Sequence, residues 1–428
     1  MFIMTGNKTS PAKPLLARIF GERTSIMFRM AFRNVFRQKR RSLYTSLAMF
    51  GGFALASLSI GLADGSYNQI IESFTRNNMG HIQIHGEGYL DKPTLYNNIE
   101  EYESIGEEIA GISGVDGWTP RLYSGGLASV GTKTSGVQII GIDPKREDAV
   151  LNFSSKIKTG EMMPLEANHS ALIGKGLTKS LNAEIGDSII IVSQAADGSI
   201  ANDIYRIIGV IDSGDEMTDR ATMYLHIEDA QELFVLHGRV HEIIIVADKM
   251  SKVTALTEKV RSVIDTSKYS VLPWQEFAKS FYEAMSADKQ GNYITQMIIA
   301  LIVAIGVLNT VLMSVLERTR EYGVLKAIGT TPSQIVKLIV SEVFILASGS
   351  VVVGAVFGII GNSILAKVGI DFGTEFTIGG FTMDKMFSEV SAVSLILPAL
   401  MVFVTAMVVS IFPAVHAART EPAKTMRM

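Results

Sequence analysis

Four long apolar runs, one near the N-terminus and three near the C-terminus, constrain this 428-residue chain more than any other feature. A helix needs about 20 apolar residues to cross the hydrocarbon core of a bilayer. We therefore predict four transmembrane helices in a one-plus-three arrangement, a layout that excludes most classes of soluble enzyme. The predicted spans are residues 43–64, 293–316, 338–365 and 390–412.

A polar insert, residues 65–292, separates the first span from the second. It alternates β-branched stretches such as 136–142, 188–192, 204–211 and 241–246 with segments of helical periodicity. The helical segments are 99–112 and 251–264, and a final strand at 269–272 completes a βαβ-like unit. The pattern predicts a large α+β domain with a strand-rich middle. Cysteine is absent, so neither disulfides nor thiolate metal sites stabilise it.

Lys and Arg residues predict the orientation of the chain, because they concentrate on the cytoplasmic side of membrane proteins. Residues 366–389, between the third and fourth spans, carry four acids against two lysines. We therefore predict that both termini are cytoplasmic and that the insert and residues 366–389 lie outside. The basic residues that support this prediction are Arg29, Arg33, Arg37, Lys39, Arg40, Arg41, Arg318, Arg320, Lys326, Lys337, Arg419, Lys424 and Arg427.

The two ends of the chain are predicted to lie in the cytoplasm. Residues 1–24 are predicted to be a loose cytoplasmic tail, and residues 413–428 a second tail. Residues 25–42 are predicted to form an amphipathic helix in the membrane interface. Its apolar face would carry Phe28, Phe32, Val35 and Phe36, opposite four arginines. The alternative is a simple basic anchor before the first span.

Residues 317–337, between the second and third spans, have the pattern of a short helix followed by a sharp break. Gly329 can close the short helix in the left-handed conformation. Thr331, Pro332 and Gln334 can then form the N-cap, first residue and capping box of the next helix. A short helix held rigidly between two spans could transmit force from a cytoplasmic partner, and an ordinary solvated loop is the alternative.

Three sequence stretches resemble one family of membrane proteins. The string ERTREYGVLKAIG at 317–329 resembles the signature of FtsX-like permeases, the membrane subunits of the MacB/LolC/LolE class of ABC transporters. The opening at 31–42 and the ending at 413–427 are also similar to that family, and 80–85 and 141–144 resemble its lipoprotein-releasing branch. The resemblance implies a porter-like α/β part built from both ends of the insert, a β-rich part from its middle, and a place in a bacterial plasma (inner) membrane.

The resemblance also implies a role for the loop after the second span. In these permeases it forms a coupling helix that docks on the ATPase. Carried over residue by residue, the docking set is Glu317, Arg318, Arg320, Glu321, Gly323, Ala327 and Gly329.

The partners and cofactors follow from the same resemblance. A P-loop needs Lys directly after its second glycine, whereas the nearest match, Gly126 to Lys133, places Lys one position late. ATP and Mg are therefore expected in a separate dimer of ABC ATP-binding subunits, with no cofactor in this chain. Further expected partners are a second permease copy or a paralogue, membrane lipid, a lipoprotein cargo and a periplasmic chaperone or adaptor. Nucleic acid is not expected.

The insert offers no catalytic constellation, and we predict no catalytic or metal-binding residue. His81 and His85 alternate with isoleucines as on a strand, where residues four apart stand about 13 Å from each other, too far to share one ion. His237 and His241 lie at a glycine-containing turn without an acidic partner at metal spacing. All four are predicted to belong to a solvated polar face.

Within the spans, Glu342 and a group of glycines allow two interpretations each. An intramembrane acid is often functional, but Glu342 is more simply an acid near the interface, close to Lys337 or paired with a partner subunit. Gly354, Gly358 and Gly361 permit close helix approach, either within the chain or at a dimer interface. Asn309 could bond across helices.

We therefore predict a permease subunit of a mechanotransmission-type ABC transporter, with lipoprotein release as its task. One alternative is export of peptides or antibiotics with a periplasmic adaptor. Another is a signalling scaffold that regulates cell-wall hydrolases, although its insert would be smaller than the roughly 230 residues found here.

Overall fold

The computed structural model describes residues 22–378 and 381–419. The chain divides into two compact units. Of the described residues, the membrane unit comprises 22–66, 288–370 and 386–419, and the outer unit comprises 67–287, 371–378 and 381–385.

The helices follow the apolar and amphipathic segments of the sequence. Two short 3-10 helices, Phe153–Lys156 and Met250–Lys252, and a π-helical turn, Thr75–Met79, accompany them. The α-helices are α1 (Glu22–Arg37), α2 (Lys39–Phe74), α3 (Tyr102–Ala110), α4 (Pro144–Leu151), α5 (Lys175–Leu181), α6 (Glu216–Asp219), α7 (Ile227–Leu233), α8 (Val253–Val263), α9 (Trp274–Phe277), α10 (Lys279–Glu317), α11 (Thr319–Ala327), α12 (Pro332–Val368) and α13 (Ala392–Arg419).

The strands of the outer unit are rich in β-branched residues, which suit a pleated, half-buried surface. The strands are β1 (Ile82–Gly86), β2 (Ile99–Glu100), β3 (Val115–Val130), β4 (Lys133–Ile142), β5 (Ile157–Gly160), β6 (Ser170–Gly174), β7 (Ser188–Gln194), β8 (Ile200–Ile211), β9 (Thr222–His226), β10 (Arg239–Val240), β11 (Glu242–Ala247), β12 (Tyr269–Pro273), β13 (Ile370–Ile378) and β14 (Phe381–Met386).

Four helices are long and apolar enough to cross a membrane: α2 with its π turn, α10, α12 and α13. This confirms the one-plus-three arrangement, but every helix is longer than its apolar run. The largest difference is in α2, which with its π turn continues to Met79, whereas the predicted span ends at residue 64. Helix α13 continues through Pro413 to Arg419, where a tail was predicted from residue 413. Residues 366–389 also differ from the predicted loop, because they contain β13 and β14.

Small residues bring α2 and α12 into close contact. A β-carbon at Gly354 would lie 2.7 Å from Phe53 Cδ1, and one at Gly358 would lie 2.6 Å from Ser57 Oγ. The glycines of α12 therefore serve packing within the chain, the first of the two interpretations. The side-chain amide of Asn362, which was not predicted, donates to the Ser57 carbonyl at 3.3 Å, whereas Asn309 is exposed.

A ten-stranded sheet organises the outer unit, in the order β12-β1-β11-β3-β4-β9-β6-β8-β5, with β7 paired to β3 and β8. Strand β1 lies between β11 and β12 and is antiparallel to both. Strands β11 and β12 are therefore parallel, and α8 connects them as the predicted βαβ-like unit requires.

Separate apolar clusters underlie the two ends of this sheet, as a porter-like part and a strand-rich part require. One cluster includes Ile84, Trp118 and Val271, and the other includes Ile173, Ile191 and Leu225. The helix predicted at 99–112 is shorter in the structure, because Ile99 pairs with Val240 in a strand ladder.

Candidate coupling site

The loop between α10 and α12 folds into the short helix α11 with well-defined ends. Arg318 breaks the helical path between α10 and α11, and Gly329 adopts a φ of +101° two residues after α11 ends. Thr331 then caps α12, with Pro332 in its first turn and the Gln334 side chain returning to the Thr331 backbone. Local sequence therefore determines this helix-break-helix structure.

Arg318 joins three elements through its guanidinium group. Its Nη1 donates to both carboxylate oxygens of Glu342 on α12, at 2.9 and 3.0 Å. Its Nε donates to Glu321 on α11 at 2.9 Å. The guanidinium also lies 5.3 Å from the centroid of the Tyr322 ring. The start of α11 is thus fixed to α12 by a bidentate, largely buried ion pair.

Glu342 is the centre of this arrangement, and its ion-pair partner differs from the expected one. The sequence predicts an acid near the interface, close to Lys337, that could pair with a partner subunit, whereas the carboxylate pairs with Arg318 of the same chain. Its Oε1 also accepts a hydrogen bond of 2.7 Å from the side-chain amide of Asn34 on α1. Because a buried carboxylate needs compensation, Arg318 and Asn34 together explain how α12 tolerates it.

Two further contacts attach the ends of α11 to the membrane unit. Glu317, the last residue of α10, forms an ion pair of 2.6 Å with Arg41 in the first turn of α2. Lys326, in the last turn of α11, donates to the carbonyl of Ala418 in α13 at 2.6 Å. The coupling segment is therefore attached to three helices. Arg318 and Lys326 connect it to α12 and α13, and Glu317, just before α11, connects it to α2.

The predicted docking residues separate into two groups. Arg318 and Gly323 are buried, so their side-chain positions face the chain itself and are unavailable to a partner. Tyr322, which was not predicted, is also buried. The exposed members of the set are Glu317, Arg320, Glu321, Ala327 and Gly329.

The surroundings of Arg318 and Tyr322 shift the pKa values of both side chains. Burial alone would lower the pKa of Arg318, but the Glu342 carboxylate beside it raises that pKa above its usual value. Burial raises the pKa of the Tyr322 hydroxyl. The Arg318 guanidinium is therefore charged near pH 7.

The amphipathic helix α1 packs on α12 with one side. Its Ala31 is fully buried, and the Phe28 ring meets that of Phe344 edge-on at 6.4 Å. Phe32 and Phe36 are exposed and lie 4.8 Å apart, centroid to centroid. One part of the predicted apolar face, with Phe28, therefore packs on α12, and the other part, with Phe32 and Phe36, is exposed.

The outer unit holds a buried polar cluster that sequence analysis missed. Arg121 Nη2 donates to Glu147 at 2.6 Å, and the Tyr123 hydroxyl donates to Glu242 at 2.5 Å. His85 Nε2 lies 3.4 Å from the Glu242 carboxylate. Burial opposes ionisation of Glu242, but its contacts with His85 and the charge of Arg121 lower its pKa.

Three of the four histidines contradict the predicted solvated face. His81, His85 and His241 are buried, and only His237 is exposed. Burial lowers the pKa of His81 and of His241 to about 4, so both are neutral near pH 7. Among the described residues, no group of three or more His, Asp or Glu side chains could hold a metal ion.

Comparison with models of protein families identifies the family of this chain. The MacB-like periplasmic core domain matches residues 42–263, and the FtsX-like permease C-terminal domain matches residues 294–422. The chain belongs to the FtsX-like permeases of the MacB/LolC class. The first match covers nearly all of α2 and most of the outer unit, and the second begins within α10 and covers α11, α12 and α13.

Relatives of two kinds resemble this permease over most of its length. The lipoprotein-releasing system transmembrane protein LolC of Neisseria meningitidis is 21% identical over 82% of this chain and 86% of its own. The macrolide export ATP-binding/permease protein MacB of Campylobacter jejuni is 25% identical over 97% of this chain and 63% of its own. The chain is thus an ABC transporter permease of the LolC/MacB type.

Among solved structures, the periplasmic region of MacB from Actinobacillus actinomycetemcomitans aligns with 50% of this chain and 97% of its own. The identity is 17% and the TM-score is 0.37.

Proposed function

We propose that this permease transmits mechanical force from a cytoplasmic ATPase to the outer domain. In this mechanism a separate dimer of ATP-binding subunits hydrolyses ATP and displaces α11. The long helices act as levers, and the outer domain moves a substrate that is already outside the membrane or in its outer leaflet. A hydrophilic pore through the membrane is not needed.

The observation that carries this proposal is the attachment of α11 to the helices around it. A helix that passes on force must be rigidly connected at both ends, and ion pairs and backbone bonds provide this here. The Arg318–Glu342 pair connects its start to α12, and Lys326 connects its end to α13. Displacement of α11 would therefore move two membrane helices together.

The exposed residues of the docking set supply the surface for the ATPase. Glu317, Arg320 and Glu321 offer charges, and Ala327 and Gly329 offer a surface with little side-chain bulk. Arg318 and Gly323 take part indirectly, since they determine the position of α11. This function places α11 and both termini in the cytoplasm of a bacterial plasma membrane, with a second permease copy or a paralogue completing the complex.

We propose lipoprotein release as the transport task. The LolC relative, which is named for lipoprotein release, is similar over 82% of this chain. The cargo would be an acylated protein in the outer leaflet, passed to a periplasmic chaperone or adaptor.

The test is the ATP turnover of the reconstituted complex. The full chain is co-expressed with the ATPase encoded beside it and reconstituted in lipid. An acylated protein is expected to stimulate ATP turnover, and the same protein without its acyl chains is expected not to. Stimulation by a macrolide or a peptide alone would contradict lipoprotein release and favour the export function below.

The second candidate is export of peptides or antibiotics with a periplasmic adaptor. The MacB relative, which is named for macrolide export, is similar over 97% of this chain. The same assay separates the two candidates, because they share the coupling site and differ in the substrate that stimulates it.

A further inference from the structure

A groove of about 880 Å³ lies in the membrane unit where α1 ends, α2 begins and α10 ends. Four basic side chains from the junction of α1 and α2 line one side of the groove, and polar side chains of α10 line the other side. Its charged and polar lining consists of Arg37, Gln38, Lys39, Arg40, Arg41, Tyr44, Asn309, Thr310 and Glu317.

The groove carries a strong uncompensated positive charge. Arg41 is paired with Glu317, its only acidic lining residue, at 2.6 Å. Arg37, Lys39 and Arg40 are exposed, and none of them forms an ion pair with a residue whose side chain the structure describes. These features favour an anion.

The surfaces beside the groove are apolar. Leu43 and Leu47 on α2 are more than half exposed, as are Met313 and Leu316 on α10. These helices are the ones that cross the membrane, so their exposed apolar side chains are suited to acyl chains. A ligand that fits both surfaces combines an anionic head with long apolar chains.

We propose that this groove binds the headgroup of an anionic phospholipid. The phosphate would contact Arg37, Lys39 and Arg40, and the acyl chains would lie along α2 and α10. The bound phosphate would also compete with Glu317 for Arg41. Because Glu317 directly precedes the coupling helix, lipid composition would influence the connection between α2 and the coupling site. This consequence rests on the proposed function, whereas headgroup binding does not.

The test measures lipid binding to the full chain in neutral detergent. Fluorescent phosphatidylglycerol and fluorescent phosphatidylcholine are titrated separately, so that only the headgroup differs. Each basic residue near an anionic surface contributes roughly a five-fold gain in affinity. We expect at least about ten-fold tighter binding of phosphatidylglycerol, and loss of that preference in the triple variant Arg37→Gln/Lys39→Gln/Arg40→Gln.

The matched control is the triple variant Arg29→Gln/Arg33→Gln/Lys337→Gln. It removes three exposed cations from outside the groove, and it should retain the preference. Equal losses in both triple variants would show a general charge effect and overturn the proposal. Wild-type binding without headgroup preference would also overturn it. If the groove variant kept its lipid preference but no longer co-purified with the ATPase, the groove would be a protein-docking surface.

Discussion

Arg318 and Glu342 form the single contact on which the coupling site depends most. Their side chains are only 8% and 13% exposed. Removing one partner of a buried ion pair leaves an uncompensated charge, which costs about 3 kcal/mol. We expect Glu342→Gln or Arg318→Gln to lower the melting temperature of the purified chain by several degrees and to abolish substrate-stimulated ATP turnover in the complex.

A variant in which the two charges are exchanged shows whether the losses come from the missing ion pair or from disturbed packing. The double variant Arg318→Glu/Glu342→Arg restores opposite charges at the same two positions, so it should recover part of both losses. Additive losses in the double variant would contradict the role of the ion pair.

Two buried histidines make the stability of the outer unit dependent on pH. Their pKa values fall from 6.5 to about 4 on folding, so below pH 6.5 the unfolded chain binds protons that the folded chain does not. The unfolding free energy should therefore fall as the pH decreases, by about 4 kcal/mol between pH 7 and pH 5. Asp219 and Asp229, whose pKa values are raised, oppose this trend at lower pH.

Tryptophan fluorescence measures this effect in the full chain, because its only two tryptophans, Trp118 and Trp274, lie in the outer unit. Urea unfolding is followed at each pH. The variant His81→Asn/His241→Asn should show a flatter pH dependence, and His237→Asn, at an exposed site, should match the wild type. An unchanged slope in the double variant would refute the assignment.

At residue scale, the sequence predicts positions whose role is local. Gly329 and Thr331 could be recognised because turn and cap chemistry act within a few neighbours. Arg318 and Glu342 are 24 residues apart, and Asn34 is 308 residues from Glu342. No periodic pattern connects such positions, so the ion pair and the burial of His81 became visible only in the fold.

At the scale of elements, Gly323 is buried within α11. A large side chain there must displace α11 from its neighbours. We expect Gly323→Trp to leave basal ATP hydrolysis of the complex in place and to remove its stimulation by substrate. The control is Gly291→Trp, because a β-carbon at Gly291 meets nothing within 4 Å. Normal coupling in Gly323→Trp would argue against this role for α11.

The contact between α2 and α12 tests the packing of the membrane unit. Phe53 is fully buried, so a side chain at Gly354 cannot be accommodated by a small shift. We expect Gly354→Leu to destabilise the chain by about 1–3 kcal/mol, seen as a lower melting temperature in detergent. Gly349→Leu, on the same helix with open space around it, should change little. Similar effects of both substitutions would contradict close packing at Gly354.

The long helices could be predicted because a run of about twenty apolar residues is typical of a membrane-spanning helix. Their ends could not, because residues 65–74 and 413–419 are helical without being continuously apolar. Strands β13 and β14 were missed for a related reason: in the described part of the chain they pair only with each other, in a separate two-stranded sheet. Ile99 and Glu100 show the opposite case, in which pairing with β10 prevails over helical periodicity.

At the scale of the whole molecule, the account requires the coupling helix and the outer unit to lie on opposite sides of the membrane. Helix α10 follows the outer unit in the chain and precedes α11, so one membrane crossing by α10 would put the two on opposite sides. The chain contains no cysteine, so single cysteines can report this arrangement without a background signal.

The most direct measurement labels Ala327→Cys in the coupling helix and Thr132→Cys in the outer unit, both at exposed positions. A membrane-impermeant maleimide is added to sealed vesicles of each orientation. The account predicts that Ala327→Cys reacts only in inside-out vesicles and Thr132→Cys only in right-side-out vesicles. Labelling of both cysteines from the same side would contradict it.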